Sequence, residues 1–350
     1  MTLASPAKRA TMRDVAAAAG VSLKTVSRVM NMEPLVDSRT AARVESAIEQ
    51  LHYRRDGLAR SLRTGIRQLS VGLLIEDLSN PFYGTLAQAV EDVADLNGHS
   101  VILTSSREDA AREQRLITDL LRREVEGLMI VPASQDHRYL EPELRRGTPL
   151  VFLDRSPRGI SADTVLLENV AGARIGVEHL IAIGHRRIAF VGDPVSHETS
   201  SERYDGYRAA LADASIPLDE ELVKTRSQSV GAADEETREL LTLTRPPTAI
   251  FAQNNRHCVG VLRALRGAGA TLAVVGFDDF ELATLLPVPV TVVASDAAEM
   301  GRVGAEMLFE RLGGLGGPPR RLLIPGHLVA RGTGEIPPES VVFPGHGQRN

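Results

Sequence analysis

From residue 69 to about residue 275 the sequence repeats one pattern: a short apolar run, a turn, a segment of helical period, and another apolar run. The first series has its runs at 69–75, 100–104, 128–131 and 150–153, with helical periodicity at 83–97 and 110–124. A second series begins near Val165, with runs at 188–191, 222–224, 249–251 and 273–275. Helical segments at 171–183, 201–214, 233–243 and 257–266 separate them. Apolar strands alternating with helices mark βαβ units, whose parallel strands are covered on both faces. Two such series predict two doubly wound α/β subdomains. Open sheets of this kind bind ligands in the crevice outside their strand ends, so a cleft between the two halves is the expected site.

The first 67 residues follow a different plan. Met12, Val15, Ala16 and Ala19 fall at i, i+3, i+4 and i+7, one apolar stripe of a short helix. Thr11 stands as its N-cap and Asp14 takes the place of the capping-box acid, where Glu is commoner. Gly20 supplies the left-handed residue that ends the helix. Ser22 caps a second helix whose inner stripe is Val26, Val29 and Met30. Its opposite face carries Lys24, Ser27, Arg28 and Asn31. Two short helices about a tight glycine turn, the second with a polar face, is the plan by which a helix-turn-helix enters the major groove; an ordinary helical hairpin with a solvated face has the same local pattern.

The string Asp-Val-Ala-x-x-Ala-Gly-Val-Ser-x-x-Thr-Val-Ser-Arg-Val-x-Asn at 14–31 resembles the N-terminal signature of the LacI/GalR family of bacterial repressors. A third helix at about 38–51, with Asp37 as N-cap and Thr40, Arg43, Val44, Ala47, Ile48, Leu51 and Tyr53, keeps the family's spacing. The resemblance continues through Gly176-Val-Glu-His-Leu180, Gly184-His-Arg-Arg-Ile188, Glu202-Arg-Tyr-Asp-Gly-Tyr-Arg-Ala-Ala-Leu211, Val275-Gly-Phe-Asp-Asp279 and Leu328-Val-Ala-Arg-Gly-Thr333. It implies a periplasmic-binding-protein-like core in which the chain crosses three times between halves. The implied domains are a helix-turn-helix at 1–55, a hinge helix and linker at 56–68, a core at 69–334 and a tail at 335–350. Within the core, 69–165 with 296–327 form one subdomain and 166–295 with 328–334 the other. Ala59-Arg60-Ser61-Leu62 resembles the family's hinge helix, with Leu62 at the position wedged into the minor groove of the operator; Arg55 and Asp56 replace the usual Pro and Asn. Alone, such a helix of about eight residues is too short to be stable in water, so its folding would depend on a partner.

Charge distribution agrees. The whole chain carries −5, but residues 1–67 hold twelve Lys/Arg against six acids, a basic head of +6 on a body of −11. That is the footprint of a DNA-binding module on a soluble body. One cysteine, Cys258, excludes an intramolecular disulfide framework and fits a reducing compartment; it reads as a packing residue. No apolar run is long enough to span a membrane, and residues 1–10 contain no secretory apolar core. A cytoplasmic protein is expected. The resemblance implies a homodimer, since the tail from Gly334 has no heptads and does not resemble the C-terminal helix by which some members tetramerise.

Candidate DNA contacts are Thr11, Ser22, Leu23, Lys24, Thr25, Ser27, Arg28 and Asn31 in the head, and Arg60 and Leu62 in the hinge. In the cleft, Phe82 or Tyr83 offers an aromatic face, Asp154 an acceptor and Arg155 a forked donor. The resemblance assigns effector contact to Arg203, with His197 and Thr199 upstream and Gln228 where an aromatic often stands. Asp279 and Phe280 end the last strand of the second series. Asn255 matches a position usually held by Asp; it carries no charge and leaves room for a more acidic ligand. Polar pairs with a few aromatics suit a sugar or sugar derivative, although Trp is absent. Nine scattered histidines and the lack of H-E-x-x-H, G-x-S-x-G or a P-loop leave no catalytic constellation, metal site or cofactor expected. The function read from these features is a ligand-responsive transcriptional repressor on palindromic double-stranded operator DNA, released by an effector. A corepressor-dependent regulator and a ligand-binding protein without DNA function are the alternatives.

Overall fold

A computed structural model describes residues 11–30, 36–51, 69–226 and 228–343. It divides into two units, 1–68 and 69–350.

In the first unit, α1 (Met12–Ala19), α2 (Leu23–Met30) and α3 (Ser38–Gln50) form the expected three helices. The Thr11 backbone N–H and hydroxyl donate to the Asp14 carboxylate at 2.7 and 2.6 Å, and the Asp14 N–H returns to the Thr11 hydroxyl at 3.4 Å. Gly20 has φ +63. The Arg43 guanidinium from α3 donates to the Ala19 carbonyl at 2.5 Å, closing the end of α1. Ser22 accepts from the Thr25 N–H at 3.1 Å, and Asp37 from the Thr40 N–H at 2.9 Å. Val15, Ala16, Ala19, Val26, Val44 and Ala47 are buried together, a core of small side chains. The hinge positions Arg60 and Leu62, the head residue Asn31 and Tyr53 lie outside the described residues.

The second unit contains two six-stranded sheets. The first runs β11-β5-β4-β3-β1-β2, built from β1 (Ser70–Ile75), β2 (Ser100–Ser105), β3 (Leu128–Ile130), β4 (Leu150–Leu153), β5 (Asp163–Leu167) and β11 (Arg321–Ile324), all parallel. The second runs β12-β10-β9-β8-β6-β7. It is built from β6 (Ile188–Val191), β7 (Val223–Lys224), β8 (Ala249–Ala252), β9 (Ala273–Phe277), β10 (Thr291–Ala294) and β12 (His327–Val329), of which β12 alone is antiparallel. Strands β3, β4, β5, β6, β8, β9 and β10 are buried along their whole length, and apart from Asp163, Thr164 and Thr291 their residues are apolar or glycine, as burial on both faces requires.

Helices α4 (Pro81–Leu96), α5 (Ala110–Arg122) and α11 (Ala297–Leu312) cover the first sheet, with the short α6 (Glu141–Arg145) beside them. Helices α7 (Asn169–Ile183), α8 (Glu198–Asp213), α9 (Val230–Leu241) and α10 (Asn255–Ala268) cover the second. The chain therefore passes between sheets after β5, after β10 and after β11. Helices α4 and α11 meet so closely that a Cβ on Gly301 would collide with the Leu86 carbonyl, which only glycine avoids. Residues 335–343, grouped above with a tail, pack on the second subdomain: Thr271 pairs with Val342, and the His185 ring is 2.8 Å from the Ile336 carbonyl. Cys258 is fully buried against Gly276, and burial pushes its thiol up to about 12.

Candidate functional site: a basic helix and a charged cleft

On the head, Ser22, Leu23 and Lys24 are exposed at the start of α2, with Leu23 at 44%. Ser27 and Arg28 are half-buried on the same helix. The hydroxyls of Thr11, Ser22 and Thr25 are engaged in caps, Ser22 and Thr25 being 2.8 Å apart. The outward face thus presents an apolar tip and an ammonium group, which suits a base-edge methyl and a phosphate.

In the core, the ends of β1, β4, β6, β8 and β9 converge on a cleft of about 780 Å³ between the subdomains. Phe82, Tyr83, Asp154, Arg155, His197, Thr199, Arg203 and Gln228 line it. Asn255, Asp279 and Phe280 do not. Asp278 has φ +64, so the chain turns at the end of β9 and sends the next side chain outward; Asp279 pairs with Arg331 at 2.5 Å and Phe280 packs on the second subdomain's core. Asp278 takes the cleft position instead. Asn255 is buried at the first turn of α10 and donates 2.9 Å to Asn80, while its neighbour Asn254 faces the cleft. The acidic-ligand tolerance ascribed to Asn255 therefore has no basis in the lining.

Arg155 is the centre of the first wall. Its Nη2 lies 2.6 Å from Glu76 and 2.7 Å from Glu108, and its Nε 3.8 Å from Asp154. The Tyr83 hydroxyl is 2.9 Å from Glu76 and 3.2 Å from Asp154. Asp154 has φ +67, the counterpart of Asp278 at the matching strand end of the other half. Burial, only partly offset by Arg155, pushes Glu76 up to about 7. Burial likewise raises Asp154, and lifts Asp193 to about 6.

Arg203 is the centre of the second wall. It donates to Asn169 and to the Gln253 carbonyl, each at 2.8 Å, pairs with Asp278 at 3.3 Å, and stacks 3.8 Å above the Phe277 ring. Among the described residues, three polar contacts bridge the halves across the cleft: Arg256 to Asp77 at 2.9 Å, Asn255 to Asn80 at 2.9 Å, and the Ser156 N–H to Glu198 at 3.3 Å. Glu76, Asp77, Glu108, Asp193, Asn254, Arg256 and Asp278 were not among the expected contacts. Most follow a strand directly or open the next helix, so inspecting every strand end would have found them.

The weakened acidity of Glu76 carries a testable sign. A native carboxyl above its ordinary 4.5 binds more protons than the unfolded chain does, so its contribution falls as pH rises from about 4.5 to about 7. Glu76→Gln removes that loss. Relative to the parent protein, the variant should gain about 1–3 kcal/mol on going from pH 4.5 to pH 8, read by urea unfolding at both values. A constant difference between the two proteins would show that Glu76 holds its proton equally well in the folded and unfolded chain.

A DNA-reading head joined to a two-lobed ligand-binding core defines a ligand-responsive transcriptional regulator. Residues 11–56 match the lacI family of bacterial regulatory proteins, and residues 177–333 the periplasmic binding protein-like domain. The ribose operon repressor of Escherichia coli (strain K12) is 32% identical over 330 residues, covering 93% of this chain and 99% of the relative. Among solved structures, the complex of the transcriptional regulator CelR with cellobiose is 31% identical with a TM-score of 0.69, covering 93% of this chain and 100% of that one. The lac repressor dimer bound to operator and the anti-inducer ONPF is 28% identical with a TM-score of 0.68, covering 93% and 99%. The chain belongs to the LacI family of bacterial transcriptional regulators. Among the described residues no helix is long and apolar enough to cross a membrane.

Proposed function

We propose that this protein is a homodimeric repressor that holds a palindromic operator and releases it when a small polyhydroxylated effector fills the cleft. The observation that carries the reading is the pairing, in one chain, of a helix exposing Leu23 and Lys24 with a cleft whose two walls are each organised around an arginine held by carboxylates. The domain boundaries expected above, with 335–343 joined to the second subdomain, a hinge at 56–68 and Leu62 as its wedge, complete the proposal. The cellobiose bound to CelR and the ribose operon named for the Escherichia coli repressor support a sugar-like effector.

The three contacts that bridge the halves give a physical route from ligand to DNA. An effector that competes for Arg256, Asn80 or Glu198 changes how far the halves close, and so the spacing offered to two hinge segments of a dimer. By linkage, operator weakens effector binding by the same factor.

A gel-shift titration on DNA upstream of the gene, with and without ribose and cellobiose, tests the proposal. Palindrome-specific, salt-sensitive binding weakened by sugar is expected. Binding strengthened by sugar would replace the inducer with a corepressor, and no specific binding in any state would refute the regulator. Lys24→Ala should weaken binding to all sequences alike and lower the slope of log K against log salt by about 0.9. An unchanged slope would remove Lys24 from the phosphate contacts.

A further inference from the structure

We propose that the effector cleft discriminates by charge: it accepts neutral polyols and ammonium-bearing sugars, and rejects sugar acids and sugar phosphates, with Glu76 and Glu108 as the determinants. This rests on the cleft being the effector site.

The lining holds six carboxylates and four arginines. The arginines that a ligand carboxylate or phosphate would need are occupied. Arg155 serves Glu76, Glu108 and Asp154 at once, and the Pro132 carbonyl at 3.2 Å. Arg203 is held by Asp278, Asn169 and the Gln253 carbonyl, with its flat face against Phe277. Arg256 is taken by Asp77 across the cleft. Arg107 stands exposed to water on the rim, where screening weakens it. Asp193 adds a further carboxylate, bridged to Asn254 at 3.2 Å and lying 3.6 Å from His257. His197 lines the same wall.

An anion entering here would have to break a buried ion pair to find a partner, and the freed carboxylate would be left facing it. An ammonium group meets the opposite situation. Glu76 and Glu108 both face Arg155, so two carboxylates share one guanidinium, and an added cation completes the pairing. Hydroxyl groups are served without any charge change, since carboxylates accept and the arginine edges donate. Among the described residues no group of three or more His, Cys, Asp or Glu is arranged to hold a metal ion.

Calorimetric titration of the full-length protein with glucose, 6-amino-6-deoxyglucose and glucuronate compares three charges at one carbon. Ribose against ribose 5-phosphate repeats the comparison on a smaller skeleton. The amine should bind at least about tenfold more tightly than the acid, and ribose more tightly than its phosphate. Arrival of the amine should also release protons at pH 7, because a cation beside Glu76 favours its ionised form; buffers of different ionisation enthalpy read this out. Glu76→Gln with Glu108→Gln should bring the amine-to-acid ratio toward one while leaving a folded protein, checked by its thermal transition. An acid or phosphate that binds as well as its amine or neutral counterpart overturns the proposal, as does an equal response to all probes, none included. Operator binding by the same preparation keeps the two readings apart. A retarded complex with no charge preference sinks only the charge rule, whereas loss of specific operator binding sinks the regulator.

Discussion

Arg203→Met should lower the stability of the core by about 3–5 kcal/mol and abolish the response to effector. Arg203 is 5% exposed, and its loss leaves Asp278 buried at 6% exposure with, among the described residues, the Ser295 hydroxyl as its remaining side-chain partner. Methionine fills much of the space beside Phe277 but supplies neither the charge nor the donors to Asn169 and the Gln253 carbonyl. Stability and recognition separate in the double variant Arg203→Met with Asp278→Leu. Removing both charges should restore most of the lost stability, because a buried pair replaced by apolar groups is often near neutral. It should not restore the response, because both side chains line the cleft. Urea unfolding gives the first quantity and operator release on titration with sugar the second. A double variant that responds normally would show that the pair is scaffold alone.

Val26→Asp should unfold the head and cost at least about a hundredfold in operator affinity, while the core keeps its own thermal transition and ligand binding. Val26 is fully buried, and its neighbours Val15, Ala16, Ala19, Val44 and Ala47 form a core of small side chains. A domain so small has a narrow stability margin, and an unpaired buried carboxylate exceeds it. The two units are each compact by themselves, which is why the damage should stay in one. Differential scanning calorimetry beside fluorescence anisotropy on labelled operator measures both. Loss of the core transition together with the head's would mean that the two fold as one.

Local chemistry made much of this legible in advance. The Thr11–Asp14 capping box, the turn at Gly20, the cap at Asp37 and the apolar strands of both sheets depend on neighbours within a few positions, and sequence displays those directly. The family string at 202–211 carried Arg203 to the cleft, and the end of the fourth apolar run carried Asp154 and Arg155.

Which of two adjacent side chains faces the cleft was not legible. Asp278 and Asp279 are chemically identical, and a single left-handed residue at the end of β9 turns one inward and sends the other to Arg331. Asn254 and Asn255 divide in the same way, one lining the cleft and one joined to Asn80 from 175 positions away. The charge state of the site followed the same rule. Glu76 and Arg155 lie 79 positions apart, and only their meeting in a buried wall raises the carboxyl and occupies the guanidinium. The sequence by itself determined the two-part plan, a DNA-reading head on a two-lobed binding core, because caps and periodicity act over one or two turns. Tertiary structure alone decided which charges meet in the cleft and so what it admits, because burial and Coulomb pairing depend on distance in space.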